Sequence, residues 1–568
     1  MKFFEVLNSG NYKLILFTLS GVLLCFSMIT IAFQIKLSKT FIVRVLLSVV
    51  VGFVLSLLGY LLFNRFVIPI GLTTYINNMF IPGTLASSFY IGYSFITKDD
   101  EELLEKRKPT RTPKLKDNNF RFTIETSGDK DLVHSDPYDN FLVVAGANSG
   151  KTKSIGRQLL REYIKFDFAG FVYDLKDFDY TRVVAYLLEK VIVDYPFTFY
   201  YMNFVDPSKS YRCNIIKPSL LKVNDIVQNL EDFARSYMGK DAKEDEWFEG
   251  GLGILKGVGV RFYYDFPQYC TLPHIAHFIL QNSSGRVKTF LEGRPESKAL
   301  GKAFIDTSQS TPKAAGSYLS SISGILGKFA FNKEICYVLS GDDFDFNLID
   351  PAQPKLLCVS NSYGLKDIVS PVISMMIQMS ARRFSLHNKI DFVYFLDEAT
   401  TFKVKNFEEM PSVLREYKVS FTFITQSITK IEIPYTVAER RSLLSNLGNQ
   451  YIGKSTESYS QKVFSEQFPK EDIIKKTKSK SANSKGGTTS GMSYTLKEEY
   501  KYEPHFFQHL RPGEFVGNAQ NSNFLDFHLQ FNQFLIDESY QVPTVREVND
   551  QTLYKNFEKI IETVQNLF

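Results

Sequence analysis

Cysteine, tryptophan and histidine are scarce in this chain, at 5, 1 and 7 of 568 residues. Cys25, Cys213, Cys270, Cys336 and Cys358 never fall at CxxC spacing, which excludes a disulfide framework and a zinc-thiolate site and places the soluble part in a reducing compartment. A dominant charge is missing too, since 66 Lys and Arg stand against 61 Asp and Glu. The resulting net +5 is too weak to argue for nucleic acid by itself. Nor is the composition that of a tail or a small scaffold. With 44% hydrophobic and 22% charged residues it lies near ordinary globular values, and the length suits about three or four domains.

What is present is uneven. Leu14 to Ile35 and Val45 to Asn64 contain no charged side chain, and each run is about 20 residues, enough to cross a hydrocarbon core about 30 Å thick. Met79 to Thr97 is a third uncharged stretch, weakened by Pro82, Gly83 and several hydroxyls, so residues 1–98 read as a membrane region with two or three helices. The link holding Lys36, Lys39 and Arg44 decides the count by the side on which it lies. Lys106 to Lys116 then carries six basic residues and no acid, so residues 99–118 are a basic linker, solvated or held on lipid headgroups. Either crossing count puts everything after Thr97 in the cytoplasm of an inner-membrane protein.

Phe141 to Ala145 is a short buried-strand pattern, followed by GANSGKT and an amphipathic helical segment. Ala145, Gly146, Ala147, Asn148, Ser149, Gly150, Lys151 and Thr152 fit a phosphate loop with Ala in place of the first Gly. The spacing follows the chemistry of ATP with Mg²⁺. Backbone N–H groups and a helix N-terminus face the β-phosphate, Lys151 reaches the β/γ oxygens, and Thr152 offers its hydroxyl to the metal. Asp391 to Thr400, DFVYFLDEAT, is a second buried strand ending in two carboxylates. Asp397 suits magnesium and Glu398 suits the attacking water. A third, Val419 to Thr425, ends in Gln426, where P-loop ATPases of the RecA-like kind place a γ-phosphate sensor. Three such strands fit a parallel sheet with its ligand at the carboxyl ends.

About 240 residues separate the two nucleotide motifs, more than one crossover needs. Strand patterns at Phe168 to Asp174 and Phe197 to Phe204 give way to helical spacing at Val223, Ile226, Val227, Leu230, Phe233 and Tyr237. Trp247 to Phe262 continues the rhythm, and Thr271 with Pro273 signals another helix start. The expected layout is a nucleotide-binding domain in two parts, 119–223 and 328–568, around a separate all-α insertion at 224–327. Trp247, His274 and His277 read as packing and surface residues. Lys355 to Val359, Gln450 to Gly453 and Glu514 to Gly517 read as further strands. Lys475, Lys476, Lys478, Lys480 and Lys485 fall in a Ser/Gly-rich stretch ending in GGTTSG, read as a flexible loop that either is solvated or contacts a phosphate backbone.

The order of these parts resembles the type IV secretion coupling proteins, the membrane-anchored ATPases of bacterial conjugation. The resemblance rests on the membrane segments, GANSGKT, Asp174-Leu175-Lys176, the EDEWFEGGLGILKG stretch, LDEATTF, Arg415, ITQS and the late RPGEF. It departs at Asp174-Leu175-Lys176-Asp177, where the family has Asp-Pro-Lys-Gly, and in the possible third crossing. It implies an α/β RecA-like ATPase with an inserted all-α domain behind a transmembrane region, assembled as a hexamer. It also implies recruitment of a relaxase bound to single-stranded DNA and its delivery to the secretion channel by ATP hydrolysis. The helical insertion would help to recognise cargo, and Arg415 would face the neighbouring subunit's nucleotide, unless it merely pairs with Glu416 or Glu408. Competing readings are a docking receptor that binds ATP structurally, the channel's energising ATPase with its long N-terminal soluble region, and a DNA-partitioning translocase with a winged-helix end.

Overall fold

The computed structural model describes residues 112–567 apart from 177, 239–244 and 483–487, and of residues 472–496 only the backbone. The expected crossings lie outside these residues; among the described residues no helix is long and apolar enough to cross a membrane.

The scaffold is a nine-stranded mixed sheet beside two hairpins. In chain order the strands are β1 (Phe122–Ile124), β2 (Leu132–His134), β3 (Phe141–Val144), β4 (Ala169–Asp174), β5 (Thr198–Asn203), β6 (Lys355–Ser360), β7 (Phe392–Leu396), β8 (Val419–Thr425), β9 (Asn449–Ile452), β10 (Lys470–Ala482), β11 (Thr488–Tyr500), β12 (Glu514–Asn518) and β13 (Asp526–Gln530). The sheet order is β13-β12-β9-β3-β8-β7-β4-β6-β5. From β9 to β5 every pairing is parallel, and β12 and β13 add an antiparallel edge.

The parallel strands read as near-continuous apolar runs because helices cover both faces. Alternate side chains divide between two cores. Leu142, Val144, Phe171, Tyr173, Tyr394, Leu396, Phe421 and Phe423 face one, whereas Phe141, Val143, Val172, Val393, Phe395 and Ile424 face the other. The second face is covered by α1 (Arg157–Lys165) and α2 (Asp179–Lys190) through Leu159, Leu160, Val183, Val184 and Leu187. Each such side chain, fully buried, contributes about 1.5–3 kcal/mol. Ser420 and Thr422, polar residues on that face of β8, are satisfied by the buried Tyr163 hydroxyl at 2.7 and 3.1 Å.

The first face is covered by helices from the long segment between β5 and β6. They begin with α3 (Val223–Ser236), α4 (Glu246–Asp265) and α5 (Leu272–Gln281), and end with α6 (Pro312–Ala330) and α7 (Lys333–Leu339). Asp225 accepts from Lys222 N at 3.0 Å at the start of α3, and Thr271 caps α5. The helical run thus passes Gly327 by one helix. It does not stand off as a separate lobe, because Ile226, Leu230 and Phe233 share one continuous core with the sheet and with α8 (Lys366–Ala381). The C-terminal α9 (Asp550–Gln565) also docks on these helices, with Phe557 edge-on to His277. His277 is fully buried and donates from Nε2 to Ala330 O at 3.0 Å, a packing residue and not a surface one. Cys213, Cys270, Cys336 and Cys358 are buried and unpaired.

The lysine-rich stretch read as a flexible loop is instead the β10–β11 hairpin, in register from Lys470 with Tyr500 to Ala482 with Thr488. The two strands pair antiparallel through thirteen backbone positions.

Candidate nucleotide-binding site

The carboxyl ends of β3, β7 and β8 converge because the three strands are parallel neighbours. The loop after β3 is pinned on both sides, Ala145 N donating to Thr425 O at 3.2 Å and Gly146 N to Lys454 O at 2.8 Å. Ala147 and Asn148 are exposed at its tip, Asn148 with φ +56°, and Ser149 Oγ closes the turn on Gly146 O at 2.7 Å. Gly150 has φ +89°, and a Cβ there would lie 2.6 Å from Gly513 N. That amide donates to Ser149 O at 2.8 Å, so the late PGEF turn is a wall of the loop. Lys151–Gly156 winds as a π-turn into α1 and carries the half-buried Thr152.

Lys151 is 6% exposed, and its Nζ lies 3.6 Å from Glu398 Oε1. Burial pulls its pKa below the usual lysine range, with the Glu398 charge opposing the shift. Glu398 is 3% exposed, with left-handed backbone at φ +46°. Its carboxylate accepts from Gln426 Nε2 at 2.6 Å and lies 3.9 Å from Lys430 Nζ, which itself donates to Gln426 Oε1 at 2.7 Å.

Asp397 is fully buried, and neither carboxylate oxygen has a hydrogen-bond partner. Burial raises its pKa to about 7, against the attraction of Lys176 Nζ, 4.0 Å from Oδ2. Two orphaned carboxylate oxygens beside a lysine fit a divalent cation held with phosphate oxygens and water. Among the described residues no group of three or more His, Cys, Asp or Glu could hold a metal.

Of the Asp174-Leu175-Lys176-Asp177 turn, the structure gives a role to Asp174. Asp174 is buried and accepts from Lys176 N, Tyr180 N and Thr181 N at 3.1, 2.8 and 3.1 Å, which caps α2. Burial still pushes its carboxyl up to about 6. Nothing in the sequence marks Tyr180, whose buried hydroxyl comes so close to Gly156 that a Cβ there would lie 2.1 Å away.

Lys151, Asp397, Glu398 and Gln426 are brought together, while Arg415 is not. It sits in the turn before β8, at the opposite end of that strand from Gln426, and is 42% exposed. Its partners are neither Glu408 nor Glu416. The guanidinium lies 2.6 Å from Asp139 Oδ1 and 3.1 Å from Asp136 Oδ2. Sequence reading also missed Lys430, whose only signal is its position four residues after Gln426, in the short helix Ile428–Glu432 that follows β8.

Residues 391–502 match a family model described as the TraM recognition site of TraD and TraG. No curated protein matches at a significant level. Among solved structures, the unbound bacterial conjugative coupling protein TrwB lacking 70 N-terminal residues aligns with a TM-score of 0.55 at 14% identity, over 78% of this chain and 94% of that one. TrwB in complex with ADP and Mg²⁺ aligns at 0.53 and 14%, over 70% and 86%. TrwB with the non-hydrolysable ATP analogue ADPNP aligns at 0.53 and 14%, over 72% and 89%. The resemblance carried by the sequence motifs therefore recurs in both comparisons, and the described α/β unit has the fold of the conjugative coupling protein TrwB.

Proposed function

We propose that the chain is a conjugative coupling protein that hydrolyses ATP at the end of β3, β7 and β8. The observation that carries this reading is the cluster of buried Lys151, Asp397 and Glu398 with the half-buried Gln426, four side chains from three strand ends gathered beside the loop after β3. TrwB has been solved with ADP and Mg²⁺, and we assign the same ligand class to this site.

Magnesium, when bound, supplies positive charge that neutralises the phosphate oxygens. Thr152 and Asp397 would hold it. Lys151 would bind the terminal phosphates as a point charge, and the amides of Ala147 to Gly150 would orient them. Glu398 would orient the attacking water and accept its proton. Gln426, by donating to Oε1, would fix the carboxylate with Oε2 towards Lys430. Arg415 would act on the phosphates of a neighbouring subunit in a ring of such chains, with the hexamer of the family as its expected form.

We further assign the cargo, a relaxase carrying single-stranded DNA, and a membrane region of two or three helices at 1–98 that places the unit at the cytoplasmic face of the inner membrane, beside the secretion channel. The match at 391–502 to a TraM recognition model supports a docking role for that segment towards the DNA-processing complex. ATP turnover by the full-length protein, measured with and without single-stranded DNA, tests the enzyme. Negligible turnover in both conditions while transfer in a mating assay is normal would reduce the protein to a receptor.

A further inference from the structure

After β13 the chain leaves the sheet as an extended strap across α1 and α2. Phe534 N donates to Lys153 O at 2.8 Å, the Tyr540 hydroxyl to Glu189 Oε2 at 2.6 Å, and Val545 N to Ser208 O at 2.9 Å. The Tyr201 hydroxyl donates to Pro543 O at 2.8 Å from beneath. Beside the strap is a cavity of about 420 Å³ lined by Lys153, Arg157, Lys176, Arg182 and Lys209, with Glu538 reaching in from the strap. Asp179 is the other lining carboxylate.

Five cations against two carboxylates in one cavity repel one another unless an anion lies between them. Glu538 partly fills that role. Its side chain accepts from Lys153 Nζ at 3.2 Å and Arg182 NH2 at 2.9 Å, and its carbonyl from Arg182 NH1 at 3.2 Å, yet it remains 56% exposed. Arg157 is 1% exposed and spends one nitrogen on Asp179 at 2.8 Å, while its buried Nε has no hydrogen-bond partner. Lys176 forms a shared wall with the candidate nucleotide site, since its Nζ is also the cation 4.0 Å from Asp397.

We propose that this cavity is a second anion site, distinct from the phosphate loop, that takes free inorganic phosphate. The source of that phosphate rests on the hydrolysis proposed above. The strap borders one side of the cavity and the other side is open to solvent, so a small free anion can enter it directly. Glu538 is its intramolecular competitor, a carboxylate seated on two cations that phosphate would use. Occupancy by phosphate and release of the strap from Lys153 and Arg182 are therefore linked.

The test is equilibrium dialysis of the full-length protein against radiolabelled phosphate, with ADP and Mg²⁺ present to keep the phosphate loop filled. One phosphate should bind per chain. R182A with K209A should lower the affinity about tenfold or more, the loss of charge-assisted contacts, and E538Q should raise it severalfold by removing the competitor. Equal affinity in all three proteins, or no binding to the wild type, overturns the proposal. So does an oligonucleotide that shields Lys209 from acylation where free phosphate does not, because the cavity would then serve a nucleic-acid backbone. Variant-dependent phosphate binding by a protein that turns over no ATP would keep the anion site and refute the hydrolysis reading instead.

Discussion

Replacing Gly150 by Ala strains the phosphate loop in two separable ways. The φ of +89° puts an L-residue in left-handed space, at a cost of about 1–2 kcal/mol. The new Cβ would also lie 2.6 Å from Gly513 N, where ordinary contacts begin near 3.4 Å. The obstacle is backbone held by its hydrogen bond to Ser149 O at 2.8 Å, so relief means opening the loop from the PGEF turn. Overpacking of this kind costs about 1–3 kcal/mol, and the stiffer unfolded chain returns about 0.4–1 kcal/mol. The net expectation is a destabilisation of about 2–4 kcal/mol, with nucleotide affinity falling because the amides no longer converge. Gly513→Ala has similar backbone strain at φ +82°, but its nearest obstacle is Gln530 Nε2, the end of a flexible side chain. It should cost only about 1–2 kcal/mol. Urea unfolding of the full-length variants, with titration of a fluorescent ATP analogue, measures both effects. A Gly150→Ala protein with wild-type midpoint and affinity would show that loop and PGEF turn do not hold each other.

Lys151→Ala should remove nucleotide binding or turnover while leaving the fold, since Lys151 supplies charge and little packing; normal DNA transfer by this variant in a mating assay would count against the site. Glu398→Gln should bind ATP with near-normal affinity and lose about 10²–10⁴-fold in turnover if it is the general base, as a steady-state assay would report. Asp174, raised to about 6 by burial, favours the folded state most when protonated, so its contribution is present below about pH 4 and is lost as pH rises through 6. Asp174→Asn should lack that decline, worth about 3 kcal/mol, and parallel unfolding curves for both proteins between pH 4.5 and 7 would refute it. Mixing Arg415→Ala with Lys151→Ala chains should restore some hydrolysis if the arginine acts across subunits; no recovery in assemblies shown to contain both chains would point to a structural ion pair.

The strands were legible because burial on both faces demands unbroken apolar runs, and FVYFL and VSFTFIT could hardly be anything else. The phosphate loop and the DE pair were legible because their chemistry is local. What stayed hidden depends on distance along the chain. Arg415 has Glu408 and Glu416 nearby in sequence, but its partners Asp136 and Asp139 precede it by more than 270 residues, and only the adjacency of β3 and β8 brings them close. The PGEF turn supports the loop through one amide, a contact with no side-chain signature. The strap between β13 and α9 has neither period, because it binds through scattered backbone groups. The β10–β11 hairpin was misread because turn-forming composition and a polar two-stranded ribbon draw on the same residues.

The placement of Arg415 bears on what the site lacks. Seven residues of β8 separate its turn from Gln426, a span of about 23 Å at 3.3 Å per residue, and that strand is fully buried and hydrogen-bonded on both sides. No local rearrangement can carry the guanidinium to the phosphate loop of its own chain. Within that loop, Lys151 faces Glu398 and the cations nearest the acids are Lys176 and Lys430, both more than two-fifths exposed and neither a planar donor. A guanidinium is the group best matched to charge building on a departing phosphate. One that sits exposed at the far end of the central strand β8, held by two carboxylates, would suit a neighbouring subunit's site. On the proposed trans role, Asp136 and Asp139 would hold the fork in one orientation, and a complete site would draw its arginine from a second copy.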